Sequence, residues 1–158
     1  MKSSWLIPFA SLALLSSAFP DDFLHHMKVY YGPNEIAKKY LEGDQVNVPI
    51  DISIDLDTAS SEIRYLTFKT FWCGISPTDS WLKLRSTNGA KRLSLRAHMP
   101  RDNSTERFDL CLDSPLLSDE DSTFDSNQFE ITFYFINETK GELNTTVDSI
   151  RVGMLRIL

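Results

Sequence analysis

Hydrophobic and polar residues alternate along much of this 158-residue chain, which is the pattern of strands with one buried face. The segment QVNVPIDISIDLD (45–57) is the clearest example, because apolar residues occupy every second position and the other face is acidic. Pro49 has no amide N–H to donate, so we expect this strand to lie at a sheet edge or to bend. Further strands are predicted at 63–72, 107–112, 129–136 and 147–158, with a β-bulge at Gly153.

Only the segment PNEIAKKYLEG (33–43) has the pattern of a helix. Pro33 suits a first helical turn, and Gly43 lies where a C-terminal cap is expected. Short strands at regular spacing with little helix predict an all-β fold, an antiparallel β-sandwich of the jelly-roll type with one short N-terminal helix. Residues 19–158 are enough for one domain and are expected to form a single one.

The segment 81–101 contains six Lys or Arg and no Asp or Glu, although the whole chain has a net charge of −6. Asn88-Gly89 is the preferred pair for a two-residue type I′ turn, so a hairpin is predicted here. Its inner face is then apolar, formed by Leu82, Leu84, Leu93 and Leu95. Its outer face is cationic, formed by Lys83, Arg85, Arg92 and Arg96.

These four cations have two interpretations. They keep an exposed hairpin soluble, or they form a docking surface for an anionic glycan, an anionic lipid headgroup or an acidic protein. Nucleic acid is disfavoured as a partner, because the protein is acidic overall and is expected to be exported.

Residues 1–18 have the layout of a signal peptide, with a short positive region at Lys2, an apolar run over 5–15 and small residues at 16–18. The apolar run is shorter than the roughly 20 residues that a bilayer span needs. Charged residues interrupt the C-terminal segment 147–158, so no membrane span is predicted there. We therefore expect a protein secreted to the extracellular space, with N-glycosylation sequons at Asn103, Asn137 and Asn144.

The two cysteines, Cys73 and Cys111, are expected to form one disulfide in an oxidising compartment. No cofactor is expected, and a zinc site needs more ligands than the chain offers at any recognised spacing. The acidic loop near residue 120 fails as an EF-hand, because Phe124 stands where the turn requires Gly. It is either a solvated loop or a looser calcium site, with ligands Asp113, Asp119, Asp121 and Asp125.

Residues typical of catalysis do not form a recognised motif. His25, His26 and His98 lie in no HExxH pattern, and the chain has no GxSxG elbow and no reactive-cysteine signature. Trp72 and Trp81 either offer stacking surfaces to a sugar or lipid or belong to the core. We predict a binding protein and not an enzyme, with a small secreted hydrolase as an alternative.

Two segments resemble MAM domains, which are extracellular jelly-roll adhesion modules. YLTFKTFWCG (65–74) looks like the CLTF-YHM-G strand of that family. FEITFYFINETKGELNTTVDSIRV (129–152) is similar to its closing hairpin, where an aromatic-rich strand leads to an I-D-D-I-R-I strand. The family's cysteine pattern and its tryptophan-containing opening strand are absent. The resemblance implies adhesion outside the cell, through an outer face of the sandwich.

A third segment resembles a different family. YLEGDQVNVPIDISI (40–54) looks like the opening of ML lipid-recognition domains, which are two-sheet sandwiches. The several disulfides typical of that family are missing. This resemblance implies a lipid-binding or lipid-transfer protein with an interior apolar cavity.

Overall fold

The computed structural model of the chain describes residues 25–56, 65–73, 77–97, 105–114, 117, 127–137 and 146–158. Within these ranges it contains nine strands and one 3-10 turn, Asp44–Asn47. The strands are β1 (His26–Tyr31), β2 (Asn34–Tyr40), β3 (Ile50–Ile54), β4 (Tyr65–Phe71), β5 (Asp79–Ser86), β6 (Arg92–Arg96), β7 (Thr105–Cys111), β8 (Gln128–Asn137) and β9 (Thr146–Ile157).

The strands of the described residues form two sheets. The four-stranded sheet has the order β2-β1-β4-β7, and the five-stranded sheet has the order β3-β9-β8-β5-β6. Neighbouring strands are antiparallel except β3 and β9, which are parallel, with Ile50 opposite Gly153. The antiparallel prediction is therefore wrong for this pair. No short hairpin joins these two strands, so connectivity does not impose an antiparallel arrangement on them.

The inward faces of the two sheets share one hydrophobic core. Phe108 of the four-stranded sheet meets Phe133 of the five-stranded sheet, with ring centroids 5.9 Å apart and the rings at 81°. Such an edge-to-face pair contributes about 0.5–1.5 kcal/mol beyond its buried area. This packing confirms the predicted β-sandwich-like, all-β fold. The largest fully buried apolar side chains are Met27, Leu66, Phe68, Leu82, Leu84, Phe108, Leu110, Phe129, Ile131, Phe133 and Leu155.

The predicted acidic strand is an edge strand, as its proline indicated. β3 lies at the margin of the five-stranded sheet, with Ile52 and Ile54 buried and Asp51 exposed. It begins directly after Pro49, and Val46 lies in the 3-10 turn instead of extending the strand. The alternation of this segment therefore extends further along the sequence than the strand itself.

The predicted bulge at Gly153 is confirmed. Ile131 of β8 faces Gly153 and Thr132 faces Arg151, so β9 has one extra residue between those two positions. A Cβ atom on Gly153 would lie 1.8 Å from the carbonyl oxygen of Ile50. The close approach of β3 therefore requires glycine at this position.

The predicted helix over residues 33–43 is wrong. Asn34–Tyr40 forms β2, which pairs with β1 from Tyr40 to Asn34 with one register shift, at Ile36. Gly32, with φ of 57°, and Pro33 form the turn between these two strands, so the proline marks a turn and not a helix start. A helix of this length is marginal by itself in water, and the hydrogen bonds to β1 outweigh its weak propensity.

Lys39 of β2 points into the protein and is 1% exposed. Its Nζ donates hydrogen bonds to the carbonyl oxygens of Val46 at 2.6 Å and Val48 at 2.5 Å. Burial removes the ammonium group from water and lowers the pKa of Lys39 from its ordinary value. The carbonyl groups at the end of a helical turn lack partners within it, so Lys39 fastens the 3-10 turn to β2.

The predicted disulfide between Cys73 and Cys111 is not formed, and both thiols are free. Cys111 faces Tyr65 at the start of β4, whereas Cys73 lies beyond Phe71 at the end of the same strand. The length of β4 separates these two ends by about 20 Å at about 3.3 Å per residue. A disulfide requires Cα atoms within about 7 Å of each other, so this fold does not permit the bond.

Candidate functional site

The cationic hairpin consists of β5 and β6 in the predicted register. The opposed pairs are Leu82–Leu95, Lys83–Ser94, Leu84–Leu93 and Arg85–Arg92. On the inner face the two leucines of β5 are fully buried, and the two leucines of β6 are half-buried against the core. The apolar face is therefore confirmed, and it is less enclosed on β6 because that strand lies at the sheet edge.

The turn of this hairpin differs from the predicted two-residue type I′ turn. The amide of Gly89 donates to the carbonyl of Ser86 at 2.8 Å, and the amide of Ser86 donates to the carbonyl of Lys91 at 3.0 Å. The loop therefore comprises residues 87–90. The hydroxyl of Ser86 donates to Oδ1 of Asn88 at 2.6 Å, and Gly89 has φ of 75°. The longer loop has the same centre, so the register of the strands is unchanged.

The outer side of the hairpin carries the four predicted cations, and all four are exposed. Strands β8 and β9 extend this surface, and a concavity of about 410 Å³ lies over β5, β6 and β8. We define the hairpin face as the outward side chains of these four strands around the concavity. Its members are Trp81, Lys83, Arg85, Arg92, Ser94, Arg96, Glu130, Thr132, Tyr134 and Arg151.

Two carboxylates partly neutralise the hairpin face. Arg96 Nη1 lies 3.4 Å from Asp79 Oδ2, and Arg151 Nε lies 2.8 Å from Glu130 Oε1. Among the described residues, no carboxylate lies within 4.0 Å of the other three cations, Lys83, Arg85 and Arg92. The face therefore keeps an excess of positive charge on a protein that is acidic overall.

Arg85 and Arg92 are directly opposed on neighbouring strands. Like charges in this position destabilise a sheet. Each guanidinium group presents a planar fork of donors that matches the oxygen atoms of a sulfate, phosphate or carboxylate. An anion bound between the two side chains would replace their repulsion with attraction, so this pair gives the strongest chemical reason to place a ligand here.

An aromatic pair lies beside these cations. The rings of Trp81 and Tyr134 are parallel within 2°, with centroids 5.6 Å apart, and Lys83 Nζ lies 4.5 Å from the centroid of the Tyr134 ring. The cation–π contact holds this ammonium group at a defined place. Trp72 does not belong to this face, because its ring packs against the core and its Nε1 donates to Glu106 at 3.0 Å.

Sequence reasoning missed Glu130, Thr132, Tyr134 and Arg151. They follow the hairpin by more than thirty residues and reach its outer face only because β8 pairs with β5 and β9 pairs with β8. The alternation of β8 places three of them on its outer side. Nothing in that alternation identifies which strands become neighbours.

Most of the predicted calcium and glycosylation residues lie outside the described part of the chain, namely Asn103, Asp119, Asp121, Asp125 and Asn144. Asn137 is the last residue of β8, and Asp113 is exposed after the end of β7. Within the described ranges, no group of three or more His, Cys, Asp or Glu is placed to hold a metal ion.

Comparison with known proteins assigns no family to this fold and face. No protein-family model matches the chain, and no curated protein matches it. The part of the chain that the structure describes has no helix with the length and apolarity needed to cross a membrane.

Proposed function

We propose that the chain is a secreted, N-glycosylated binding protein that recognises an anionic glycan or an acidic protein outside the cell and catalyses no reaction. The observation that carries this proposal is the hairpin face, where three cations that have no carboxylate partner among the described residues surround a concavity of about 410 Å³. The net charge of −6 repels anions in general. A localised cationic face on such a protein therefore determines where and how an anionic partner docks.

The hairpin face offers both charge and hydrogen bonds to a ligand. Arg85 and Arg92 supply guanidinium forks, and hydroxyl groups line the same concavity on Ser94, Thr132 and Tyr134. This combination suits a ligand that carries acid groups and hydroxyl groups together. The binding needs no bond-making chemistry and no cofactor.

The resemblances to MAM and ML domains lead to different binding sites. A jelly-roll adhesion module uses an outer face, whereas a lipid carrier uses a cavity between the sheets. Here the core side chains occupy the space between the sheets, and the concavity lies on the outer side. These observations support the adhesion module. Organic extraction of the purified protein followed by mass spectrometry tests the alternative, which requires a stoichiometric lipid.

The direct test neutralises the four predicted cations together, as Lys83→Gln, Arg85→Gln, Arg92→Gln and Arg96→Gln. The probe is an array of sulfated, sialylated and neutral glycans together with an acidic protein surface, measured at low and high salt. We expect wild-type binding to weaken as salt rises and the quadruple variant to bind about tenfold more weakly or worse.

Two controls accompany this test. The melting temperature of the quadruple variant should equal or slightly exceed that of the wild type, because all four side chains are exposed and the repulsion between Arg85 and Arg92 is removed. Arg156→Gln removes a cation of β9 that pairs with Gln128 and Ser53 and does not line the concavity, and it should leave binding unchanged. A folded quadruple variant with unchanged, salt-independent affinity would show that the basic hairpin only keeps the surface soluble.

A further inference from the structure

A row of four cations crosses the four-stranded sheet. The register places Lys38 of β2 opposite Lys28 of β1, Lys28 opposite Lys69 of β4, and Lys69 opposite Arg107 of β7. Neighbouring strands lie about 4.8 Å apart, so the row extends about 14 Å at right angles to the strands. We call these four residues the cation row.

The cation row lies on the outer side of the sheet. Met27, Phe68 and Phe108 are each adjacent in sequence to a member of the row, and all three are fully buried in the core. Successive side chains of a strand point to opposite faces. The four cations therefore face away from the core, on the side of the sandwich opposite the hairpin face.

Three ammonium groups of the row lie over aromatic rings. The distances from Nζ to the ring centroid are 5.7 Å for Lys28 and Phe71, 4.9 Å for Lys38 and Tyr40, and 4.9 Å for Lys69 and Tyr30. The rings are themselves half-buried. These contacts keep the ammonium groups at defined places, and lysine covers ring faces that would otherwise be open to a ligand.

Two members of the row have carboxylate partners. Lys28 Nζ lies 3.2 Å from Glu35 Oε2, and Arg107 Nε lies 2.9 Å from Asp109 Oδ1. Within the described ranges, no carboxylate lies within 4.0 Å of Lys38 or Lys69. Directly opposed like charges cost stability in a sheet, so folding alone does not account for four cations in register.

We infer that the cation row is a second binding surface, separate from the hairpin face, and that its ligand is a sulfated glycan chain lying across the strands. A compact anion contacts only one or two neighbouring cations. A linear polymer with sulfate groups on successive sugars contacts all four, and each contact releases counterions from the polymer.

The same geometry argues against two other polyanionic partners. Interfacial binding to a bilayer uses apolar side chains that enter the headgroup region, whereas the rings here lie beneath ammonium groups. Binding to single-stranded nucleic acid uses open ring faces on which bases stack, and lysine occupies those faces here. A sulfated glycan needs neither feature.

The two cationic surfaces together have a consequence for assembly. The hairpin face belongs to the five-stranded sheet and the cation row belongs to the four-stranded sheet, so one molecule presents them on opposite sides. Such a molecule joins two glycan chains. This bridging rests on the proposed function of the hairpin face, whereas binding at the cation row does not.

The experiment isolates the cation row in the protein that already carries the four Gln substitutions of the hairpin face. Isothermal titration with a heparin-derived dodecasaccharide at several salt concentrations should show remaining, salt-dependent binding. Adding Lys38→Gln and Lys69→Gln should weaken it about tenfold and reduce the number of released counterions by about two. Lys38→Arg with Lys69→Arg keeps the charge and should restore binding.

Each outcome decides between the two surfaces. If the quadruple variant does not bind, or if it binds equally well with and without Lys38→Gln and Lys69→Gln, the cation row is not a binding surface. Neither result would contradict binding at the hairpin face. If the wild type and the quadruple variant bind equally, and a variant with only Lys38→Gln and Lys69→Gln does not bind, the result would support the cation row and count against the hairpin face. Binding to anionic lipid vesicles but not to the dodecasaccharide would overturn the glycan assignment.

Discussion

The two cationic surfaces of this sandwich carry similar charge but are built differently. The hairpin face takes four of its cations from one stretch, residues 83–96, which a turn folds back on itself. The cation row takes one residue from each of four strands, between Lys28 and Arg107. Inspection along the chain finds the first surface and misses the second. Charge that a local turn gathers is visible in a sequence, whereas charge that sheet register aligns is not.

Glu106 connects the two sheets that carry these surfaces. It is 2% exposed, and its carboxylate accepts hydrogen bonds from Thr70 Oγ1 at 2.9 Å, Trp72 Nε1 at 3.0 Å and Ser80 Oγ at 2.8 Å. Thr70 belongs to β4 and Ser80 belongs to β5. The carboxylate therefore joins the four-stranded sheet to the five-stranded sheet.

The largest loss of stability should come from replacing Glu106, because its carboxylate joins the two sheets. Glu106→Leu leaves the buried hydroxyls of Thr70 and Ser80 without an acceptor, at about 1–3 kcal/mol for each, and removes the acceptor of the half-buried Trp72 Nε1 as well. We expect the free energy of unfolding to fall by about 3–5 kcal/mol and both surfaces to lose binding together. Denaturant unfolding measures the first effect, and dodecasaccharide binding near the unfolding midpoint measures the second.

A surface carboxylate provides the matched control for Glu106. Glu130 pairs with Arg151 on the hairpin face, and its side chain is 43% exposed. Glu130→Gln should therefore change the free energy of unfolding by less than about 1 kcal/mol. If the Glu106→Leu variant lost binding at only one of the two surfaces, this would contradict the view that the two sheets unfold as one unit.

Two adjacent lysines of β2, one buried and one on the outer side, should differ in their contribution to stability, and the larger contribution should be smaller than that of Glu106. Lys39→Met removes the donor from the carbonyls of Val46 and Val48, so we expect a loss of about 2–3 kcal/mol in stability. Lys38→Met should change stability by less than about 0.5 kcal/mol and should weaken dodecasaccharide binding at the cation row. Urea unfolding of both variants tests whether Lys39 stabilises the fold and Lys38 does not. A larger loss of stability for Lys38→Met than for Lys39→Met would contradict these two roles.

The smallest effect should be confined to the hairpin face. Gly89 has φ of 75°, a conformation that a β-branched residue resists. Gly89→Val should lower stability by about 1–2 kcal/mol and weaken binding at the hairpin face, because the loop no longer holds β6 in register. Binding at the cation row should be unchanged when binding at both surfaces is measured well below the melting temperature. An equal loss at both surfaces would show that the turn supports the whole sandwich.

The strands and their inward residues could largely be predicted, because alternation with a period of two reports burial directly. β3, β7, β8 and β9 follow it, including the bulge at Gly153. Residues 33–43 were mistaken for a helix because pairing with β1 is a tertiary effect that the local pattern does not contain. The disulfide was mistaken because the number of residues between Cys73 and Cys111 does not reveal at which strand ends they lie.

Part of the candidate site could also be predicted from the sequence, namely the part that a local turn brings together. Lys83 and Arg85 could be placed opposite Ser94 and Arg92, because the centre of the turn sets the register whatever the loop length. Tyr134 could not be placed beside them, since strand order is decided by packing and not by alternation. The cation row depends on three strand pairings at once, so it emerges only from the fold.

The most direct test of the central claim, that opposite sides of this sandwich bind anionic glycans, is light scattering from the protein mixed with long heparin chains. The wild type should join chains into large assemblies that dissolve at high salt, because two surfaces on one molecule engage two chains. The quadruple hairpin variant and the Lys38→Gln, Lys69→Gln variant should each still bind heparin without forming large assemblies. Assemblies of wild-type size with either variant would contradict the account.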